Sequence, residues 1–186
     1  MSVITVQSTV EEVAAIVSSA LERAGITATL SGGGAVTIYS NNEYRSRDLD
    51  FVTSAMIADL KPVLEDLGFE HTGVPRMSQF SHSDVEWYVE FPPSPLTFGN
   101  LLVNPEECAL IELPVGKLRI ITPTQSVMDR LAAAYAWQDP QSRDQAAMVA
   151  ANQEIDWKAL RTWFANEGEP EEEFRRFKNS VKARTT

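Results

Sequence analysis

The sequence predicts an α+β fold: a mixed β-sheet flanked by helices, with a C-terminal helical subdomain. Three observations carry that expectation. An amphipathic helix opens the chain, short strands separated by turn residues fill the middle, and beyond Thr122 the hydrophobic period becomes helical. A chain of 186 residues with 44% hydrophobic content buries a substantial core and leaves room for one small appendage. Pro123 suits the first position of a helix, so residues 1–121 are assigned to the sheet-bearing core and 122–186 to the helical subdomain.

Each element follows from local signals. Thr9 and Glu12 have capping-box spacing, and Val10, Val13, Ile16, Val17 and Leu21 recur with helical period up to a stop at Gly25. Residues 26–30 predict a strand, about 35–40 a short helix or turn, and 49–52 a second strand. A helix over 54–67 closes at Gly68. Further short strands are expected over 69–72, 77–81, 85–91, 101–103, 110–113 and 118–121, with Pro92, Pro93 and Pro95 ending the third of these. Helices follow over about 124–138, 141–152, 156–166 and 169–181. Trp137, Trp157 and Trp163 fall in amphipathic patterns and are expected to anchor helix packing, not to stack on bases.

Composition narrows the function. Asp and Glu number 26 against 16 Lys and Arg, a net charge of -10, which disfavours bulk binding to a phosphate backbone but allows a local basic groove. Cys108 is the only cysteine, so no intrachain disulfide forms; its CALIEL setting predicts a small buried side chain and suits a reducing compartment. The opening helix carries Glu11, Glu12 and Glu22, unlike a secretory leader, and no apolar run approaches the roughly 18 residues of a membrane span. A cytoplasmic protein without a membrane partner is expected. His71 and His82 are too few for a histidine-metal centre; His82 is expected at most to rim a cleft. No GxSxG elbow or Cys–His pair suggests covalent hydrolysis.

The informative stretch is SGGGAVTIYSNNEYRSRDLDFV, residues 31–52. In an extended segment Asp48 and Asp50 point to one face while Leu49 and Phe51 enter the hydrophobic layer. Two carboxylates that close repel unless positive charge sits between them, and a divalent metal is the obvious compensator. A solvated edge strand is the competing explanation of the DxD pattern taken alone. Upstream, Gly32, Gly33 and Gly34 follow a strand, where backbone N–H groups can approach phosphate oxygens, and Ser31 adds a hydroxyl. Neither a Walker A ending nor GxGxxG spacing is present. Arg45 and Arg47 suit phosphate neutralisation or salt bridging equally well.

The combined run SGGGAVTIY…RSRDLDF resembles the DNA polymerase beta-type nucleotidyltransferase superfamily, in particular minimal bacterial members related to AbiEii-type toxins. The resemblance is close over residues 28–53 and looser over 85–150. Gly32 and Gly33 match the family's glycine turn, Arg45 and Ser46 its Arg-Ser pair, and Asp48 and Asp50 its metal ligands. It implies a nucleotidyltransferase-like fold, a nucleoside triphosphate bound with Mg2+ (or Mn2+), and a third metal-ligating carboxylate on a neighbouring strand. Within DVEWYVEF, Asp84, Glu86, Tyr88 and Glu90 would share one strand face, with Val85, Trp87, Val89 and Phe91 opposite. Glu90 is the choice for the third metal ligand and Glu86 the second candidate, while Asp84 is expected in the preceding turn; a surface glutamate at a strand end is the bland alternative. The family more often has aspartate there.

Over residues 122–150 the resemblance implies a proline-started helix with a lysine, occupied here by Arg130, and a basic–Asp pair, matched by Arg143 and Asp144. Arginine keeps the charge but not the geometry of lysine, and Asp144 suits either a nucleotide contact or an ordinary interhelix partner. Glutamates 167–173 preceding basic residues 175–184 suit the dipole of a terminal helix, with a basic nucleic-acid contact as the secondary explanation. The expected activity is metal-dependent nucleotidyl transfer to a hydroxyl on RNA (a tRNA end), a protein or a small molecule, toxin–antitoxin-like if the likeness extends that far. The alternative is a nucleotide-binding or protein-interaction module with little catalysis.

Overall fold

Burial alternates along the middle strands, and that alternation organises the sheet. The computed structural model describes residues 4–72 and 79–185. In chain order its elements are α1 (Val10–Arg23), β1 (Thr29–Ser31), α2 (Gly32–Tyr39), β2 (Asp48–Val52), α3 (Ile57–Asp66), β3 (Glu70–His71), β4 (Gln79–Ser81) and β5 (Tyr88–Glu90). Next come β6 (Thr97–Phe98), β7 (Leu101–Leu102), a 3-10 turn (Pro105–Glu107), β8 (Ala109–Leu113) and β9 (Gly116–Ile120). Four helices close the chain: α4 (Pro123–Trp137), α5 (Pro140–Asn152), α6 (Trp157–Asn166) and α7 (Glu171–Arg184). The architecture is a mixed sheet flanked by helices with a distinct C-terminal helical subdomain.

The chain folds as two compact units. The first comprises Met1–Ala35, Ser46–Leu96 and Asn104–Ile121; the second comprises Val36–Arg45, Thr97–Val103 and Thr122–Thr186. In the first unit seven strands run in the order β3-β4-β5-β2-β1-β9-β8, so β2 is the middle strand. It pairs antiparallel with β1 and parallel with β5, while β1 pairs parallel with β9. Leu49 and Phe51 of β2, Phe80 of β4 and Val89 of β5 are all buried on one face. Phe91 packs against Phe51 and edge-on against Phe80, with centroids 6.4 and 5.9 Å apart. Helix α1 packs on β9. Its capping box forms as expected: Glu12 N–H donates to Thr9 Oγ1 at 3.3 Å, and Thr9 N–H to Glu12 Oε2 at 2.9 Å.

In the second unit Thr122 caps α4 through a second reciprocal box with Gln125. The indole N–H of buried Trp163 donates to the Phe98 carbonyl at 3.0 Å, and Phe164 packs edge-on against Trp163 and Phe174. Trp157 lies against Phe174 and Phe177 with the Lys178 ammonium 5.0 Å from its ring. Trp137 is a correction: at 80% exposure it anchors nothing. It is the last residue of α4, where the chain reverses through left-handed Gln138.

Other departures have local causes. Helix α2 begins at Gly32, earlier than residue 35, because the glycine turn is itself the first helical turn. The strand expected over 85–91 is shortened to β5, because Val85 N–H bonds back to the His82 carbonyl and the chain is still turning there. The expected strand over 77–81 is observed from Gln79; residues 77 and 78 lie outside the described residues. The β6–β7 hairpin was expected only in its second half, since β6 follows the proline cluster directly. His82 is buried, not at a cleft rim: its Nδ1 accepts the Asp84 N–H at 3.1 Å and its ring meets Phe69 edge-on.

Phe51 is fully buried on the middle strand, so Phe51→Ala is expected to cost about 3–5 kcal/mol. Urea unfolding followed by circular dichroism measures this; a loss below about 1 kcal/mol would contradict the packing described.

Candidate functional site

The site is built where β1 turns into α2. Ser31 and Asp50 are Cα partners, and the Ser31 hydroxyl donates to the Asp50 carbonyl at 3.4 Å. Gly32 follows with φ +62, a backbone region that costs side-chain-bearing residues about 1–2 kcal/mol. A Cβ there would also run into the Asp50 carboxylate, striking Oδ2 and lying 3.3 Å from Cγ. Glycine is thus required both by the turn and by the side chain seated against it. The Asp50 carboxylate sits at the amino end of α2, where the helix dipole favours negative charge.

Strand register extends this into a row. Asp50 is the Cα partner of Ser31 on one side and of Glu90 on the other, and Glu90 is in turn the partner of Gln79. Ser31, Asp50, Glu90 and Gln79 therefore lie side by side across four adjacent strands. Asp48, two residues before Asp50, shares its half-buried face while Leu49 and Phe51 face the core. The Asp48 N–H donates to Ser46 Oγ at 3.2 Å, so Ser46 shapes the entry to β2. Tyr88 N–H donates to the Arg47 carbonyl at 2.8 Å and extends the β2–β5 pairing.

Glu90 is held by a neighbour: its Oε1 accepts a short hydrogen bond from the Gln79 side-chain amide. Gln79 was not singled out from sequence. Its Gln-Phe-Ser alternation signals which face it occupies, but only the strand pairing reveals that it adjoins Glu90. Glu86 and Asp84 do not share the face. Both are exposed and precede β5; Asp84 lies in the turn as expected, whereas Glu86 was expected on the strand, so the face reduces to Tyr88 and Glu90.

The donor set can be tested against a hard divalent cation. Asp48 and Asp50 place carboxylate oxygens on one rigid face, which suits magnesium bound by one or two carboxylates together with substrate phosphates. Among the described residues no three His, Cys, Asp or Glu side chains form a ready metal cluster, and Glu90 is turned to Gln79. The two aspartates fit such an ion; Glu90 fits by register and not by its present side-chain partner.

The remaining expected residues belong to the second unit. Arg45 is exposed in the loop after α2. Arg130 is bonded to Asp129 at 2.8 Å, and Arg143 is bridged to Glu173 of α7 at 2.6 Å. Asp144 is exposed on α5. Charges in the terminal helix are also met locally: Arg176 pairs with Glu172 at 2.6 Å and Arg184 with Glu43 at 2.9 Å.

No protein-family model matches the sequence, and no curated protein matches it. Solved structures do. A crystal structure of an antigenic nucleotidyltransferase-like protein from Paracoccidioides brasiliensis aligns with a TM-score of 0.60 at 14% identity, covering 94% of this chain and 92% of that one. The chain has a nucleotidyltransferase-like fold. At that identity the likeness concerns the fold. The lincosamide antibiotic adenylyltransferase LnuA, lincomycin-bound, aligns less closely, with a TM-score of 0.47 at 17% identity over 72% of this chain and 91% of that chain. The solution structure of the antibiotic-resistance factor ANT(2'')-Ia gives 0.49 at 13% identity over 84% and 91%.

Gly25 and Gly32 share left-handed backbone, but a Cβ at Gly25 meets nothing within 4 Å. Gly32→Ala is accordingly expected to destabilise the protein more than Gly25→Ala in urea unfolding, the difference reporting the clash with Asp50. Equal losses would remove Asp50 from that position. Cys108 is half-buried, and burial pushes its thiol up to about 11, so it stays protonated at neutral pH. Iodoacetamide at pH 8 is expected to alkylate the native protein much more slowly than the urea-unfolded chain, where the thiol returns to about 8.5. Native labelling as fast as unfolded labelling would contradict the burial.

Proposed function

We propose that this protein transfers a nucleotidyl group from a nucleoside triphosphate to a hydroxyl acceptor. The observation that carries the reading is the row Ser31–Asp50–Glu90, with Asp48 on the same face and the glycine turn of α2 against Asp50. The N–H groups of Gly32 and Gly33 and the Ser31 hydroxyl would receive phosphate oxygens. Asp48 and Asp50, with Glu90 as third ligand, would hold Mg2+ or Mn2+, which supplies charge neutralisation of the phosphates and of the leaving group. Glu90 would draw the proton from the acceptor hydroxyl as its oxygen bonds to the α-phosphorus. The bond to the β-phosphate oxygen then breaks and pyrophosphate leaves. Positioning and fixed charge supply the catalysis, with no covalent enzyme intermediate.

Arg45, Arg130, Arg143 and Asp144 remain proposals for contacts with nucleotide or acceptor. Arg130 and Arg143 would first have to exchange their carboxylate partners for phosphate. The likeness of the Arg-Ser-x-Asp-x-Asp run to AbiEii-type toxins supports an RNA acceptor such as a tRNA end, with a toxin–antitoxin-like role. The net charge of -10 weighs toward a protein or small-molecule acceptor. One observation favours a competing reading: the Glu90 carboxylate is bonded to Gln79, which suits a nucleotide-binding or protein-interaction module with weak catalysis.

An incorporation assay with each of the four labelled nucleoside triphosphates, magnesium or manganese, and RNA or protein acceptors decides between them. Asp48→Asn and Asp50→Asn are each expected to weaken metal–nucleotide binding in calorimetric titration without unfolding the protein, since neither belongs to the buried face. Unchanged affinity in both variants would overturn the assignment. Glu90→Gln is expected to keep nucleotide affinity within a few-fold while lowering turnover about 100-fold, roughly 3 kcal/mol of transition-state stabilisation. Turnover in wild type that survives in Glu90→Gln would remove Glu90 from the chemistry; binding without incorporation in wild type would favour the module.

A further inference from the structure

Glu90 is the last residue of its strand, one residue before the Pro92–Pro93 pair. Its carboxylate is restrained from β4. Gln79 and Glu90 are Cα partners in an antiparallel pair, the arrangement in which opposed side chains lie closest. Phe80, the next residue on β4, is fully buried and packs edge-on against Phe91, the residue after Glu90. The backbones carrying the amide and the carboxylate are thereby locked together from the core side. The Gln79 amide then donates to Oε1 on the open side.

Resting on the transfer reading above, we infer that Gln79 is a positioning residue: its amide fixes the rotamer of the Glu90 carboxylate and leaves Oε2 available to the reaction. The chemistry of the partner supports this. A carboxylate accepts at about four lone-pair sites, so one amide bond leaves the other oxygen open. An amide is neutral and does not cancel the negative charge, whereas arginine or lysine at this position would form an ion pair and compete with bound cation. Catalytic and metal-binding carboxylates are commonly oriented by such an outer partner, whose loss costs about 10–100-fold in metal affinity or activity. Gln79 is half-buried beside Glu90, so water replaces its amide only incompletely.

The test uses Gln79→Met, which keeps side-chain length without donors, alongside Gln79→Ala, each alone and combined with Glu90→Gln. Manganese alone is titrated against thermal unfolding, and steady-state incorporation is measured with the triphosphate that wild type uses. Gln79→Met is expected to raise the apparent manganese dissociation constant about tenfold and to lower kcat at least tenfold with KM within a few-fold. Added to Glu90→Gln it should change neither further, because the two act as one unit. Wild-type manganese response and kcat in Gln79→Met, in a protein where Glu90→Gln lowers both, would overturn the inference and leave the transfer reading standing. An equal further loss in the Glu90→Gln background would also overturn it, since Gln79 would then act elsewhere. If Glu90→Gln itself changes neither readout, the role of Glu90 fails and this inference with it.

Discussion

The candidate site depends on the burial of Leu49 and Phe51 on the middle strand of the sheet. A strand alternates faces with a period of two residues, so placing those side chains in the core puts Asp48 and Asp50 together on the opposite face. A slip of one residue would bury both aspartates and expose the leucine and phenylalanine, which is prohibitive. Pairing on both sides of β2 then carries the constraint outward: Ser31 is aligned with Asp50 through β1, and Glu90 through β5. The hydrophobic layer thus fixes the geometry of the polar one.

The glycine turn meets this constraint from a second direction. Helix α2 follows β1 without an intervening loop, and its first residue is placed against the Asp50 carboxylate. The turn and the strand thus bring the first residues of α2 and the Asp50 carboxylate together. The helix dipole there favours the Asp50 negative charge, at a distance set by the sheet.

Much of this arrangement was legible in the sequence. Helical periodicity and the Thr9–Glu12 box located α1, the proline after Thr122 located α4, and DxD alternation placed both aspartates on one face. What was hidden depended on pairing between distant segments. The residues of DVEWYVEF alternate as a strand would, yet the turn at His82–Val85 keeps Glu86 out of it. Gln79 acquires meaning only from its register with Glu90. The arginines expected to face substrate carry charge patterns equally suited to ion pairs, and Arg130 and Arg143 form those pairs. Trp137 fits the helical pattern but is the last residue of α4, where its side chain is exposed.

The parallel pairings also govern when the site comes into being. Asp50 meets Glu90 only after the chain has completed α3, β3 and β4, and β1 gains its second neighbour only when β9, near residue 120, arrives. Parallel partners require long crossovers, whose closure entropy is lost before the contacts that repay it have formed. During synthesis the glycine turn and both aspartates emerge early but stay unorganised until most of the first unit has left the ribosome. Assembly of the row is thus a long-range event in folding, and a chain stopped short of β9 would carry every candidate residue of that row while β1 still lacked its second neighbour.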